Sequence, residues 1–370
     1  MPTIDRAQVA KLLERARREV DAGFLPSCQI ALALEGEIVA AETFGAARPD
    51  DRYCIFSATK PFVASTMWTL LGEGKIRLDE RVSAYFPEFA ANDKGTITVE
   101  QVMLHTSGFP HAPMGPPDWY HRAARVRRMS AWKLNWEPGT RYEYHPTSAH
   151  WVLGELIERI AGADYRTVVE ERVTKPAGLP RILGIPRAQQ SGIRDLVLVG
   201  EHATPDELEK TFGVRALPET EVTDDAVLQF NRPEVRELGV PGGGGFARAV
   251  DLALFYQRLL HDPTGIWDAA LRKDATSRVR NLLPDPMGVP ANRSLGLILA
   301  GDDGNSHIRG LGRTVSVGAF GHNGAGGQLA WADPATGLSL GYVTDGYDRH
   351  EIRQPRRGTA ISSLAATSAR

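Results

Sequence analysis

The segments with strand character sit at the two ends of this 370-residue chain, and the strongest helical patterns sit between them. Near the N-terminus, CQIALALEGEIVAAETFG reads as two strands joined at Glu35-Gly36. Near the C-terminus, residues 328–332 and 338–344 flank the turn-forming run Asp333-Pro334-Ala335-Thr336-Gly337. Terminal strands with helices between them are expected to pair in one mostly antiparallel sheet, with the middle of the chain folded as a helical region beside it. The predicted fold class is therefore α+β. The expected division is discontinuous: residues 1–60 and 295–370 build a sheet domain, residues 61–294 a mostly helical domain with long loops, and a site lies between them.

Helical periodicity is clearest in four places. Val9, Leu12, Leu13, Ala16 and Val20 share one face of a first helix. Residues 61–72 are apolar nearly all round and so predict a buried helix. Residues 151–160 form a third helical pattern, stopped by Gly162, and residues 250–260 a fourth. Stretches 109–120, 181–247 and 277–293 read as long irregular segments that shape or cover a site, and the tail after Arg353 as loosely held.

Composition removes several function classes. With 43 basic and 45 acidic residues the formal charge is −2, which gives no electrostatic reason to expect nucleic acid or an anionic membrane as partner. Cys28 and Cys54 are too few for a disulfide framework or a thiolate zinc site, and a reduced compartment is the simpler expectation. No apolar h-region opens the chain and no run approaches the roughly 18 apolar residues of a membrane span. A cytoplasmic protein is expected.

Ser57-Ala58-Thr59-Lys60 fits S-x-x-K, a spacing that puts both side chains on one helix face. A lysine so placed can take the proton of the serine hydroxyl when it is partly desolvated. Ser130-Ala131-Trp132-Lys133 fits the same pattern, but only Ser57 opens the apolar helix, where Lys60 would be buried and in need of a partner or a task. Read alone, Ser57 serves equally as a helix N-cap. Two further runs could carry chemistry. Pro138-Gly139-Thr140-Arg141-Tyr142-Glu143-Tyr144-His145-Pro146 offers a tyrosine that nearby cations could make a base, or simply aromatics packed under a loop. Gly321-His322-Asn323-Gly324-Ala325-Gly326-Gly327 offers backbone N–H groups that can approach a developing oxyanion, or a glycine-rich turn into an edge strand.

These three elements, in this order and at these separations, resemble the serine β-lactamase-like superfamily, in its branch of class C β-lactamases, D-alanyl-D-alanine peptidases and family VIII carboxylesterases. LGEGKIRLDE at 71–80, ITVEQVMLHTSGF at 97–109 and GGGGFARAVD at 242–251 look like further family segments, so the resemblance spans about residues 5 to 345. It implies a β-lactamase-like fold and a serine hydrolase without cofactor or metal. Ser57 would be the acylated nucleophile and Lys60 its proton partner, with Tyr144 helping to activate the serine and protonate the leaving group. His322 would stand where relatives carry lysine or histidine, and the N–H groups of Ser57 and Ala325 would form the oxyanion hole. Asn323, Gly324, Trp119 and His145 are expected on the substrate side.

One departure matters. The family's second motif is usually tyrosine, any residue, asparagine, whereas here it reads Tyr144-His145-Pro146. Counting from Pro138-Gly139 selects Tyr144, and counting back from Gly154 falls nearer His145. Thr147 or Ser148 could stand in for the lost asparagine. The loss, the histidine in the third motif and the expected cytoplasmic location favour small to medium esters as substrates; Phe109, Trp119, Tyr120, Trp132 and Trp136 either wall an apolar pocket for them or pack the helical region. Amide hydrolysis, acyl transfer and an inactive binding homologue remain compatible with the same residues. His105, His111, His145 and His150 have no carboxylate at ligand spacing, so no metal is expected, and His105 is assigned a structural place in the HTSG turn.

Overall fold

A computed structural model describes residues 3–217 and 222–370. Its centre is a six-stranded antiparallel sheet in which the outer strand Glu37–Gly45 is followed by Ser27–Leu34, Leu338–Thr344, Leu329–Asp333, Phe320–Gly321 and Ile298–Leu299. The two chain ends meet in the middle of it, with Cys28 opposite Thr344 and Ala33 opposite Ser339.

Alternation along the central strands explains why every residue of Ser27–Leu34 is buried. Ile30 and Leu32 face the N-terminal helix Arg6–Asp21 and the C-terminal helix Arg353–Ala366, in one core with Leu12, Ala16 and Ile361. Ala31 and Ala33 face the other way, onto the helix Ala249–His261. Small residues on that side let the helix approach closely: a Cβ on Gly341 would lie 2.1 Å from the carbonyl oxygen of Ala249. The same core continues into the helical region through Phe62 and Phe255, whose rings stack at 3.8 Å.

The four expected helices run over Arg6–Asp21, Lys60–Gly72, Ser148–Ala161 and Ala249–His261. Gly162 closes the third in the left-handed conformation at φ 68°. The tail after Arg353 is not loosely held. It forms a helix whose Arg357 is buried in ion pairs with Asp348 and Glu19, and backbone hydrogen bonds join Thr3 to Arg370 and Asp5 to Ser368. Its apolar spacing completes the sheet's outer layer, which a turn-rich tail could not do. The stretch 181–247 is more regular than expected. It carries helices Pro205–Phe212, Asp224–Leu228 and Pro233–Leu238, and 218–221 within it lie outside the described residues. Cys28 and Cys54 are both free and buried. No helix among the described residues is long and apolar enough to cross a membrane.

Candidate active site

Ser57 lies in a short 3-10 turn, Phe56–Thr59, that leads into the buried helix Lys60–Gly72. The turn is fixed from both sides. Ile55 donates its N–H to the Gly245 carbonyl, and Gly245 donates to Thr59 Oγ1, both at 2.9 Å. Phe56 is held at φ 43°, a left-handed conformation uncommon for an aromatic residue and a mark of local strain beside Ser57.

Two polar atoms converge on the serine hydroxyl. Lys60 Nζ lies 3.1 Å from Ser57 Oγ, and the Tyr144 hydroxyl lies 2.8 Å from it. Lys60 also donates to the carbonyls of Pro146 at 2.7 Å and Gly242 at 2.6 Å. A neutral amine with its N–H bonds on these two carbonyls keeps its lone pair for the serine. Burial, then the charge of Arg293, holds Lys60 well below the usual lysine value. Burial pushes the Tyr144 phenol up, while Arg293 and the bond to Ser57 pull it back down, and the net direction is up. These shifts favour an uncharged amine and a protonated phenol on either side of one hydroxyl.

Tyr144 and His145 part company. The His145 ring is fully buried and faces away from Ser57: Nδ1–H donates to the Glu143 carbonyl at 2.7 Å, while Nε2 meets Ser107 Oγ at 3.1 Å and the Phe109 N–H at 3.2 Å. Burial lowers its pKa to about 3, so it is neutral and spent on the 105–109 turn. The alternative that placed His145 in the second motif or on the substrate is therefore corrected, because consecutive residues of an extended segment point to opposite sides. His105 is buried in the same turn, and its Nδ1 accepts from the His145 N–H at 3.2 Å.

His322 is buried, and its ring lies 5.9 Å from that of Tyr144. Nδ1 bonds the Asn323 carbonyl at 2.9 Å and Nε2 is buried without a partner. Burial, then the charge of Arg293, holds it neutral. Asn323 does not reach the cavity. Its amide is committed to the Gly310 carbonyl and its Oδ1 to the Ala330 N–H, and it braces the turn. Gly324 packs against the Ile55 carbonyl, 2.1 Å from where a Cβ would stand, so its role is close approach of backbone to backbone.

A cavity of about 480 Å³ opens over Ser57. Ala325 and Phe56 border it beside the serine, and Met114, Trp119, Val227 and Phe230 give it apolar walls. Pro146 and Thr147 border it where the second motif ends, whereas Ser148 donates to the Phe109 carbonyl at 2.9 Å. Of the expected aromatics Trp119 lines the cavity, while Phe109 and Trp132 pack in the core of the helical region. The competing Ser130–Lys133 pair is not assembled: Ser130 bonds the Val126 carbonyl at 2.9 Å and Lys133 is exposed past the helix end.

Sequence reasoning missed Arg293 and the two carbonyls that hold Lys60; His150, weighed there only as a metal ligand, is buried with neither ring nitrogen hydrogen-bonded. The glycine run 242–245 was a usable signal for close backbone approach. An arginine in an irregular stretch reads as solvated, and nothing marked Arg293. Among the described residues no group of three or more His, Cys, Asp or Glu side chains is arranged to hold a metal ion.

Ser57, Lys60 and Tyr144 thus meet beside an apolar cavity. The chain belongs to the Beta-lactamase family, which matches residues 13–362. It is similar to a family VIII carboxylesterase of known structure, at TM-score 0.81 and 26% identity over 100% of both chains. It is likewise similar to a penicillin-binding protein homologue from Caulobacter crescentus, at TM-score 0.79 and 26% identity over 100% of both chains. The Esterase/beta-lactamase LipL of Mycobacterium tuberculosis is 26% identical over 80% of this chain and 69% of its own length. The fold is that of β-lactamases and penicillin-binding proteins, and the chain is a hydrolase of the serine β-lactamase family, whose members here include carboxylesterases, peptidases and amidases.

Proposed function

We propose that the chain is a carboxylesterase that forms an acyl-enzyme on Ser57. The observation that carries the reading is the Ser57 hydroxyl, within 3.1 Å of Lys60 and 2.8 Å of Tyr144 at the floor of an apolar cavity. In this reading Ser57 Oγ adds to the ester carbonyl as its proton passes to the lone pair of Lys60. The N–H groups of Ser57 and Ala325 take the developing oxyanion. Collapse breaks the C–O bond to the alcohol, which leaves with the Tyr144 proton, and the phenolate recovers a proton from the Lys60 ammonium. Water then adds to the acyl carbon with Lys60 and Tyr144 in the same roles, releasing the acid and restoring the Ser57 hydroxyl.

Esters are favoured over amides by Pro146. It borders the cavity where the family's asparagine would offer an amide side chain, and it presents neither an N–H nor a side-chain donor. A substrate with an acylamino group would leave its own polar atoms unpaired there, at about 1–3 kcal/mol each. The test is hydrolysis of a p-nitrophenyl ester series with nitrocefin in parallel, on the wild type and Ser57→Ala. Ester turnover that Ser57→Ala abolishes, with little nitrocefin hydrolysis, supports the reading. Nitrocefin turnover exceeding that of every ester would overturn it.

A further inference from the structure

We infer that Arg293 is a positioning residue of this site: its guanidinium packs the Tyr144 phenol against Ser57 and supplies the permanent positive charge beside the Ser57–Lys60–Tyr144 group. The inference rests on the serine-hydrolase reading above and goes beyond it in naming what the motifs leave out.

The guanidinium carbon stands 5.1 Å from the Tyr144 ring centroid and 5.7 Å from that of Tyr142. Nε donates to the Tyr142 hydroxyl at 2.9 Å, which fixes the plane of the group. The backbone is anchored as well: Arg293 N–H donates to the Asn281 carbonyl at 3.1 Å, and its carbonyl accepts from Arg280 at 2.8 Å. The residue is 7% exposed, its Nη1 is buried without a partner, and among the described residues no carboxylate comes within ion-pairing distance. A buried cation without a counter-ion is costly. Two tyrosine faces offset part of that cost, and the arrangement makes chemical sense because of what lies behind the rings.

The groups around the catalytic atoms carry no competing fixed charge. His105 faces Tyr144 at 4.9 Å between ring centroids, His322 faces it from the glycine-rich turn, and His150 stacks on His105 from the helix Ser148–Ala161. Burial holds all three neutral. On its far side Arg293 borders a second cavity, separate from the one over Ser57, together with Tyr144, Glu143, Asp285 and Arg309. Each of the three charged groups is engaged elsewhere: Glu143 with His111 at 3.0 Å, Asp285 with the N–H groups of Met287 and Val289 at 2.9 Å, and Arg309 with Asp303. Arg293 is thus the permanent charge felt by both Lys60 and Tyr144. It disfavours an ammonium on Lys60 in the resting site, and it stabilises the phenolate that forms when Tyr144 gives up its proton. With a neutral histidine in the third motif, the cationic duty of the site moves to a residue outside all three motifs.

The experiment is the pH dependence of kcat/KM for p-nitrophenyl butyrate with wild type, Arg293→Lys, Arg293→Gln and Arg293→Met, each checked for folding by circular dichroism, and Ser57→Ala as control. Loss of the charge raises the pKa of Lys60, so the acid limb of the Gln and Met variants moves up by about one pH unit. On the acid side of the limb their kcat/KM falls by up to about tenfold as a result of that shift, and the loss fades toward the plateau. Arg293→Lys keeps a cation and holds the limb close to the wild-type position. Limbs that stay in place while activity falls equally at every pH would reduce Arg293 to a structural role. A Lys variant that shifts as far as Gln would exclude charge as the agent. Activity surviving in Ser57→Ala would instead remove the reading on which the inference rests.

Discussion

The hydroxyls of Ser57 and Tyr144 stand 2.8 Å apart although 87 residues separate them in the chain. Lys60, three residues from Ser57, completes the group through the helical turn itself. The first contact is made by tertiary packing and the second by local geometry, and the predictions below separate the two.

Replacing Tyr144 by Phe removes the proton donor and keeps the ring between Arg293 and the serine. Turnover of p-nitrophenyl esters should fall about 10²–10⁴-fold with little change in thermal stability. Full activity in this variant would exclude the proposed role.

His145→Gln should behave in the opposite way. It disturbs the bonds to Ser107, Phe109 and Glu143, all in or next to the buried turn. A loss of about 1–3 kcal/mol of stability is expected in urea unfolding. Residual folded enzyme should still label at Ser57 with a fluorophosphonate.

In the proposed mechanism Lys60 is the base and must be neutral to act, and burial lowers its pKa. The neutral fraction, and with it kcat/KM, should rise with pH and reach its plateau well below the ordinary lysine value of about 10.4. A profile still climbing in that ordinary range would show a lysine that stays charged in the folded site.

Stability should fall as the solution is acidified from neutrality. The folded-state pKa of His145 lies near 3, below the unfolded value of about 6.5. Between those values the unfolded chain binds the extra proton, so folding is favoured at higher pH and loses up to about 1.4 kcal/mol per pH unit for each such histidine as pH drops. His105, His150 and His322 act in the same direction. Thermal melts from pH 7.5 down to 4 should show the midpoint falling steeply. A flat melting temperature would mean that the cluster takes up protons without cost.

Gly341→Val tests the helix–sheet contact behind the site. The added side chain would run into the Ala249 carbonyl, 2.1 Å from the Cβ position. Destabilisation of about 1–3 kcal/mol or more is expected by calorimetry, through displacement of the helix Ala249–His261.

The sequence by itself determined the elements and the local half of the site. Strand patterns at both ends, the apolar run after Ser57 and the i, i+3 spacing of Ser57 and Lys60 are short-range signals, and the helix and sheet periods make them legible. The loose tail was misjudged because Arg357, which reads as a solvated charge, is buried against Asp348 and Glu19, partners distant in the chain or set by the sheet edge. Only tertiary structure decided between Tyr144 and His145. Neighbouring residues have the same sequence context, and the packing of the 105–109 turn claims one ring and leaves the other facing Ser57. Tertiary structure likewise brought Arg293 and the Gly242 carbonyl to the site. A charge and a carbonyl carry no sequence pattern of their own; they acquire chemistry from the burial around them, and burial is a property of the whole fold.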